Sequence, residues 1–137
     1  MTLFKTIAHE RLKALLFPLG FKKRGNTYYR KAVDPVQGLD TVQGLFFQGS
    51  QTGHSCAFYF GIIPEYVALQ KGLDGIGRYS LGWFGGREKV WEYYNNEESI
   101  NAYLDERIEK IKKYVLPYFE HPNRPIGADD VYPMRDG

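Results

Sequence analysis

The chain has 137 residues and a formal net charge of +2; 43% of its residues are hydrophobic and 16% aromatic, enough apolar side chain for one domain with a sizeable core. Its lone cysteine, Cys56, excludes an internal disulfide, and the longest apolar run, Ala57 to Ile63, is far shorter than the roughly 20 residues that cross a bilayer. With an N-terminus that alternates charge and apolar residues in place of a signal-peptide core, these features lead us to expect a reducing, cytoplasmic setting.

The small net charge hides a strong asymmetry. Residues 1–31 hold eight Lys or Arg against one Glu, a surplus of seven positive charges, whereas residues 32–137 hold ten Lys or Arg against fifteen Asp or Glu, a surplus of five negative ones. A dipolar molecule of this kind steers an anionic partner toward its basic end, although the same asymmetry also serves solubility alone.

Phe4, Ile7, Ala8, Leu12, Leu15 and Leu16 recur at helical spacing with Lys5, His9, Glu10 and Lys13 between them, which predicts an amphipathic helix from about Leu3 to Phe17. Pro18 and Gly20 end it, and Phe21 folds back onto its end. A basic turn follows, Lys22-Lys23-Arg24, then the turn signal Gly25-Asn26 and a first strand from Thr27 to Ala32 that carries Tyr28 and Tyr29. After a loop from Asp34 to Gly38, apolar residues of both parities between Leu39 and Gln48 predict a central strand covered on both faces. His54 to Ile63 is the strongest strand signal, with Cys56, Phe58, Phe60 and Ile62 on one face and Ala57, Tyr59 and Ile63 on the other, and Pro64 stops it.

Glu65 to Gly72 fits a short helical turn or an extended edge equally well. Alternation from Ile76 to Phe84 predicts a fourth strand, and Lys89 to Tyr94 a short fifth one after Gly85-Gly86-Arg87. Asn95 or Asn96 caps a long helix whose one face is Ile100, Tyr103, Leu104, Ile108, Ile111, Tyr114 and Val115, with Glu106 and Lys110 spaced for an exposed ion pair. Pro117 kinks or ends that helix, and the proline-bearing residues 122–137 form a loosely packed tail after a single domain of residues 1–121. Helix, strands, helix in this order give an α+β fold: a mainly antiparallel sheet of four to five strands with the N-terminal helix and the long C-terminal helix on one face.

No residue set carries a reaction. His54 and Cys56 share a strand face but have no further ligand cluster for a metal; Glu97-Glu98 and Asp129-Asp130 are solvated pairs; the serines lack a glycine elbow; and Gly75-Ile76-Gly77 lacks the third glycine of a phosphate cradle. No catalytic residue, metal or cofactor is therefore assigned. Two binding hypotheses remain. Lys22, Lys23, Arg24, Arg30 and Lys31 beside Tyr28 and Tyr29 combine phosphate-neutralising charge with aromatic faces, the chemistry of single-stranded nucleic acid or of a small anionic ligand. Eleven Tyr, two Trp and nine Phe are the residue types of protein interfaces, and the sheet face away from the helices would let Tyr28 or Tyr29, Arg78 and Trp83 gather.

The run Leu19-Gly20-Phe21-Lys22-Lys23-Arg24-Gly25-Asn26-Thr27-Tyr28-Tyr29-Arg30, the later Ile76-Gly77-Arg78 and Trp83-Phe84, and the closing Leu116-Pro117-Tyr118-Phe119 together resemble the bacterial Domain of Unknown Function 4304 family over nearly the whole chain. Phe84 departs from the second tryptophan that such proteins would carry. The resemblance implies a small bacterial cytoplasmic domain without an established reaction. The expectation is thus a non-enzymatic protein–protein interaction module, such as an immunity protein that neutralises a toxin; nucleic acid is the alternative ligand, an enzyme with an unrecognised site the second alternative, and no membrane is involved.

Overall fold

The computed structural model describes residues 3–49, 56–81, 96–122 and 132–133. Helix α1 (Leu3–Leu16) turns Phe4, Ile7, Ala8, Leu12 and Leu16 inward, as its spacing predicts, and also His9, which the spacing places among the polar positions. A single 3-10 turn, Phe17–Leu19, takes Pro18 near its start, where the missing N–H costs nothing, and Gly20 closes it by donating its amide to the Phe17 carbonyl. Phe21 folds back as expected: its amide reaches the Leu16 carbonyl at 3.2 Å and its ring is buried against Phe119.

The chain then runs as a meander. Strands β1 (Lys22–Arg24), β2 (Thr27–Val33), β3 (Asp40–Gly49), β4 (Cys56–Pro64), β5 (Tyr79–Ser80) and β6 (Tyr132–Pro133) pair antiparallel in chain order. The basic turn is thus itself a strand. Gly25, at φ +60°, supplies the positive dihedral that the two-residue hairpin Gly25-Asn26 requires between β1 and β2. The expected α+β fold on an antiparallel sheet stands, with a very short strand at each edge. The outer one, β6, contains a proline and lies within the predicted tail. Of the predicted fourth strand only Tyr79–Ser80 is extended among the described residues, because Ile76 belongs to a preceding turn. Its end after Leu81, and the whole predicted strand from Lys89 to Tyr94, lie outside the described residues.

Strand pleating sorts the side chains. Register aligns Tyr28, Leu45 and Phe60 on one face, with Phe47 and Phe58 beside them, and these join α1 and the long helix in the main core. That long helix is α3 (Glu97–Lys110), capped by the Asn96 side chain, which accepts the Ser99 amide at 2.7 Å. Glu106 and Lys110 form the expected pair across one turn, at 3.7 Å. Pro117 does not end the helix: a single π turn, Ile111–Val115, precedes it, and α4 (Leu116–Glu120) carries the chain on to His121. Such a turn accommodates the carbonyl that a proline cannot reach.

The opposite sheet face is covered as well, by the segment whose period is ambiguous. Glu65–Lys71 is a helix, α2, followed by a 3-10 turn Gly72–Ile76, and Ala68, Leu73 and Ile76 pack on Val42 and Ile63 in a second, smaller core. Ile76 sits where it does because Gly44 and Gly61 pair directly across β3 and β4. A β-carbon on Gly44 would overlap the Ile76 side chain, and one on Gly61 would overlap the Ile76 carbonyl oxygen. The two glycines form a trough that a covering turn can enter.

Backbone does not yield as a side chain does, so Gly61→Ala is expected to destabilise the fold by about 1–3 kcal/mol in denaturant titrations. Gly75→Ala, whose β-carbon would meet among the described residues Ile63 alone, at an ordinary 3.5 Å, is expected to be close to neutral in the same measurement.

Candidate functional site

Strand β1 is the edge of the sheet, and all three of its residues, Lys22, Lys23 and Arg24, are exposed. Alternation places Lys23, opposite Tyr28, on the helical side and Lys22 and Arg24 on the other. No acidic side chain among the described residues lies within ion-pair distance of these three cations. Short, charged edges of this kind protect a sheet from pairing with other chains, so part of their role is structural. Lys13 extends the basic surface onto α1: together with Lys23 and Lys5 it acts on the same buried imidazole, that of His9.

The remaining sequence candidates divide sharply. Lys31 is engaged with Glu65 of α2 at 3.1 Å. Arg30 is half-buried and works as a clamp: Nε donates to Gln43 Oε1 at 2.8 Å, Nη1 donates to the Leu19 carbonyl at 2.8 Å, and the guanidinium lies 4.5 Å above the Phe21 ring. Gln43 in turn donates to the Phe119 carbonyl at 2.7 Å, tying the sheet to α4. Burial lowers the Arg30 pKa, and Glu120 opposes that shift.

Tyr28 is wholly buried in the main core, so it offers no ring face to a ligand. Its hydroxyl lies 2.6 Å from His9 Nδ1, and His9 Nε2 lies 3.1 Å from Asn26 Oδ1. With Asn26 presenting an acceptor, the ring carries its proton on Nε2 and accepts the Tyr28 O–H at Nδ1. Burial pushes the Tyr28 phenol up to about 12. Tyr29, on the other face, is half-buried against the second core. Arg78 is exposed but stands beside Gly61 on the far side of the sheet, and β1 and β5 are separated by four inter-strand spacings, about 19 Å. Trp83 lies outside the described residues. The structure therefore gathers Lys22, Lys23 and Arg24, adds Lys13, and places Tyr28, Tyr29, Arg30 and Lys31 in packing or pairing roles.

His9, Gln43 and Arg107 are among the buried polar residues that escape sequence reasoning, and each leaves a trace. His9 follows Ala8 and precedes Leu12 by three positions; Gln43 shares its parity with Leu45 and Phe47; Arg107 falls three after Leu104 and four before Ile111, on the apolar stripe of α3. Arg107 is 1% exposed, donates to the Leu81 carbonyl at 3.3 Å and lies 5.6 Å from the Tyr103 ring centroid. Between α1 and α3 a groove of about 500 Å³ is crossed by Arg11, which pairs with Asp105 at 2.6 Å and donates to Asn101. Among the described residues no three His, Cys, Asp or Glu side chains gather as a metal site, and no helix is long and apolar enough to cross a membrane.

The sequence model of the family Domain of unknown function (DUF4304) matches residues 12–121. No curated protein and no solved structure matches the chain.

His9 ties acidity to folding. Burial, then the nearby Lys23, lowers its pKa below the ordinary 6.5, with Lys13 and Lys5 adding to the effect and Asn26 opposing it. The unfolded chain therefore binds the imidazole proton at a higher pH than the folded one, so this contribution to stability is complete above 6.5 and is lost as pH falls below it. In His9→Gln the stability difference between pH 7.5 and pH 5.5, read from urea midpoints, is expected to shrink; an unchanged difference would assign the acid sensitivity to other groups.

Proposed function

Because the chain belongs to the family Domain of unknown function (DUF4304), whose description assigns no reaction, we propose that it is a small non-enzymatic binding protein, a protein–protein interaction module that docks an acidic partner on its β1 edge. The observation that carries this reading is the row Lys22, Lys23 and Arg24: exposed, contiguous and without counter-ions among the described residues. Charges so placed raise the encounter rate with an acidic surface and select against basic ones.

The aromatic component that single-stranded nucleic acid would use is weak at this edge. Tyr28 is in the core and Tyr29 is half-covered, so neither tyrosine of β2 offers the open stacking face that the sequence suggests. An enzymatic reading gains little from the groove between α1 and α3, where Arg11 is already held by Asp105 and Asn101. Neutralisation of a toxin is the specific role we favour, in which the cations mask an acidic surface of the toxin; a cytoplasmic location accords with the lone Cys56.

Purification of the tagged chain from its native cells at low salt is expected to recover one stoichiometric protein companion, which is released as salt rises and is lost from the variant Lys22→Glu, Lys23→Glu, Arg24→Glu. A chain that runs alone, or that carries only nucleic acid with a steep salt dependence, would overturn the reading.

A further inference from the structure

The turn that closes α1 carries an apolar knob beside this basic edge. Phe17 and Leu19 are 46% and 43% exposed, and the three β1 cations begin three residues after Leu19. Lys13 stands one helical turn before Phe17, and the Phe17 ring centroid lies 6.4 Å from that of Tyr28, the register partner of Lys23. Phe17, Lys13 and Lys23 thus lie toward the helical side of this edge, with Lys22 and Arg24 on the other face of the same short strand.

Three of the four carbonyls from Leu16 to Leu19 are already paired from within. The Leu16 carbonyl accepts the Phe21 amide at 3.2 Å, the Phe17 carbonyl accepts the Gly20 amide at 3.0 Å, and the Leu19 carbonyl accepts Arg30 Nη1 at 2.8 Å. Pro18 has no amide to leave stranded. Removing water from the turn therefore abandons few polar groups, while the exposed parts of Phe17 and Leu19 gain from leaving it. The turn is also held in one shape, by Tyr28 behind Phe17 and by Arg30 stacked on Phe21, so docking orders little that is not ordered beforehand.

We infer that Phe17 and Leu19 are the apolar anchor of the acidic-partner interface, and that the partner presents an apolar pocket rimmed by Asp and Glu carboxylates. The inference rests on the proposed function and specifies its docking surface. A protein pocket suits the knob better than a bilayer does: each side chain is about half shielded by its own protein, which limits it to shallow insertion, whereas interfacial helices sink about 5–10 Å into lipid. The rim follows from charge complementarity with Lys13, Lys22, Lys23 and Arg24.

Site-specific photo-crosslinking in native cells tests this. p-Benzoylphenylalanine is placed in turn at positions 17 and 19, and, as controls, at positions 36 and 69, where Val36 and Leu69 are 73% and 78% exposed on other segments. Positions 17 and 19 are expected to give one adduct with an acidic protein, mapping to an apolar segment flanked by Asp or Glu, with none from 36 or 69. The β1 charge reversal is expected to lower the yield about tenfold, the scale of losing one major interface contact. Adducts from 17 or 19 with a second copy of the chain, with lipid or with nucleic acid would overturn the inference. A protein companion that crosslinks only from 36 or 69 would remove the anchor while leaving a protein-binding role standing. No adduct from any of the four positions, together with no companion in the purification, would remove both.

Discussion

The guanidinium of Arg30 is the joint on which this architecture turns. It reaches the carbonyl that ends the α1 turn, the side chain of Gln43 in the centre of the sheet, and the face of Phe21, and Gln43 passes the connection on to α4 through the Phe119 carbonyl. Hydrogen bonds from a charged donor contribute about 1.5–3 kcal/mol each, and the fork of an arginine can hold two acceptors and a ring at once. A lysine at this position would keep the charge and lose the geometry. Because the same contact satisfies Leu19, the position of the exposed turn and the packing of the sheet are set together.

Around that joint the sheet has two unlike faces. One carries the large aromatic core under α1 and α3; the other is closed by a short helix and a turn that rest on paired glycines. Among the described residues, much of the aromatic richness that suggested an open interface is absorbed between these layers. Phe46 and Tyr59 stack at 5.1 Å on the second face, and Phe60, Tyr79 and Tyr118 cluster on the first. Among the described residues, the basic edge and the apolar residues next to it stay open to a partner.

The legible parts of the sequence were those with a long period or strong punctuation: α1 with its Pro18 and Gly20 stop, the both-sided β3, the apolar β4, and α3 with its Asn96 cap. Seven residues of α2 span barely two turns, too few for a 3.6-residue period to separate from an alternating one. The candidate site was legible as composition and not as geometry. Lys22 and Arg30 are the same sign in a string of letters, but only the register of β2 with β3, which sets Arg30 opposite Gln43, shows that one is spent inside the molecule and the other is not. The helix-side closure hides in the same way, since Arg11 meets Asn101 and Asp105 across some ninety positions of chain.

Strand order that copies chain order has a consequence for how such a molecule is made. Every described strand from β1 to β4 finds its neighbour by a hairpin, so these ladders require little loop closure and can form while the chain is still being synthesised. The apolar flank of α1 is different, because its lid is α3, supplied only after residue 97 has emerged. A ribosome-bound intermediate would thus carry a paired sheet with a half-covered greasy side, and α3 is the piece that covers it.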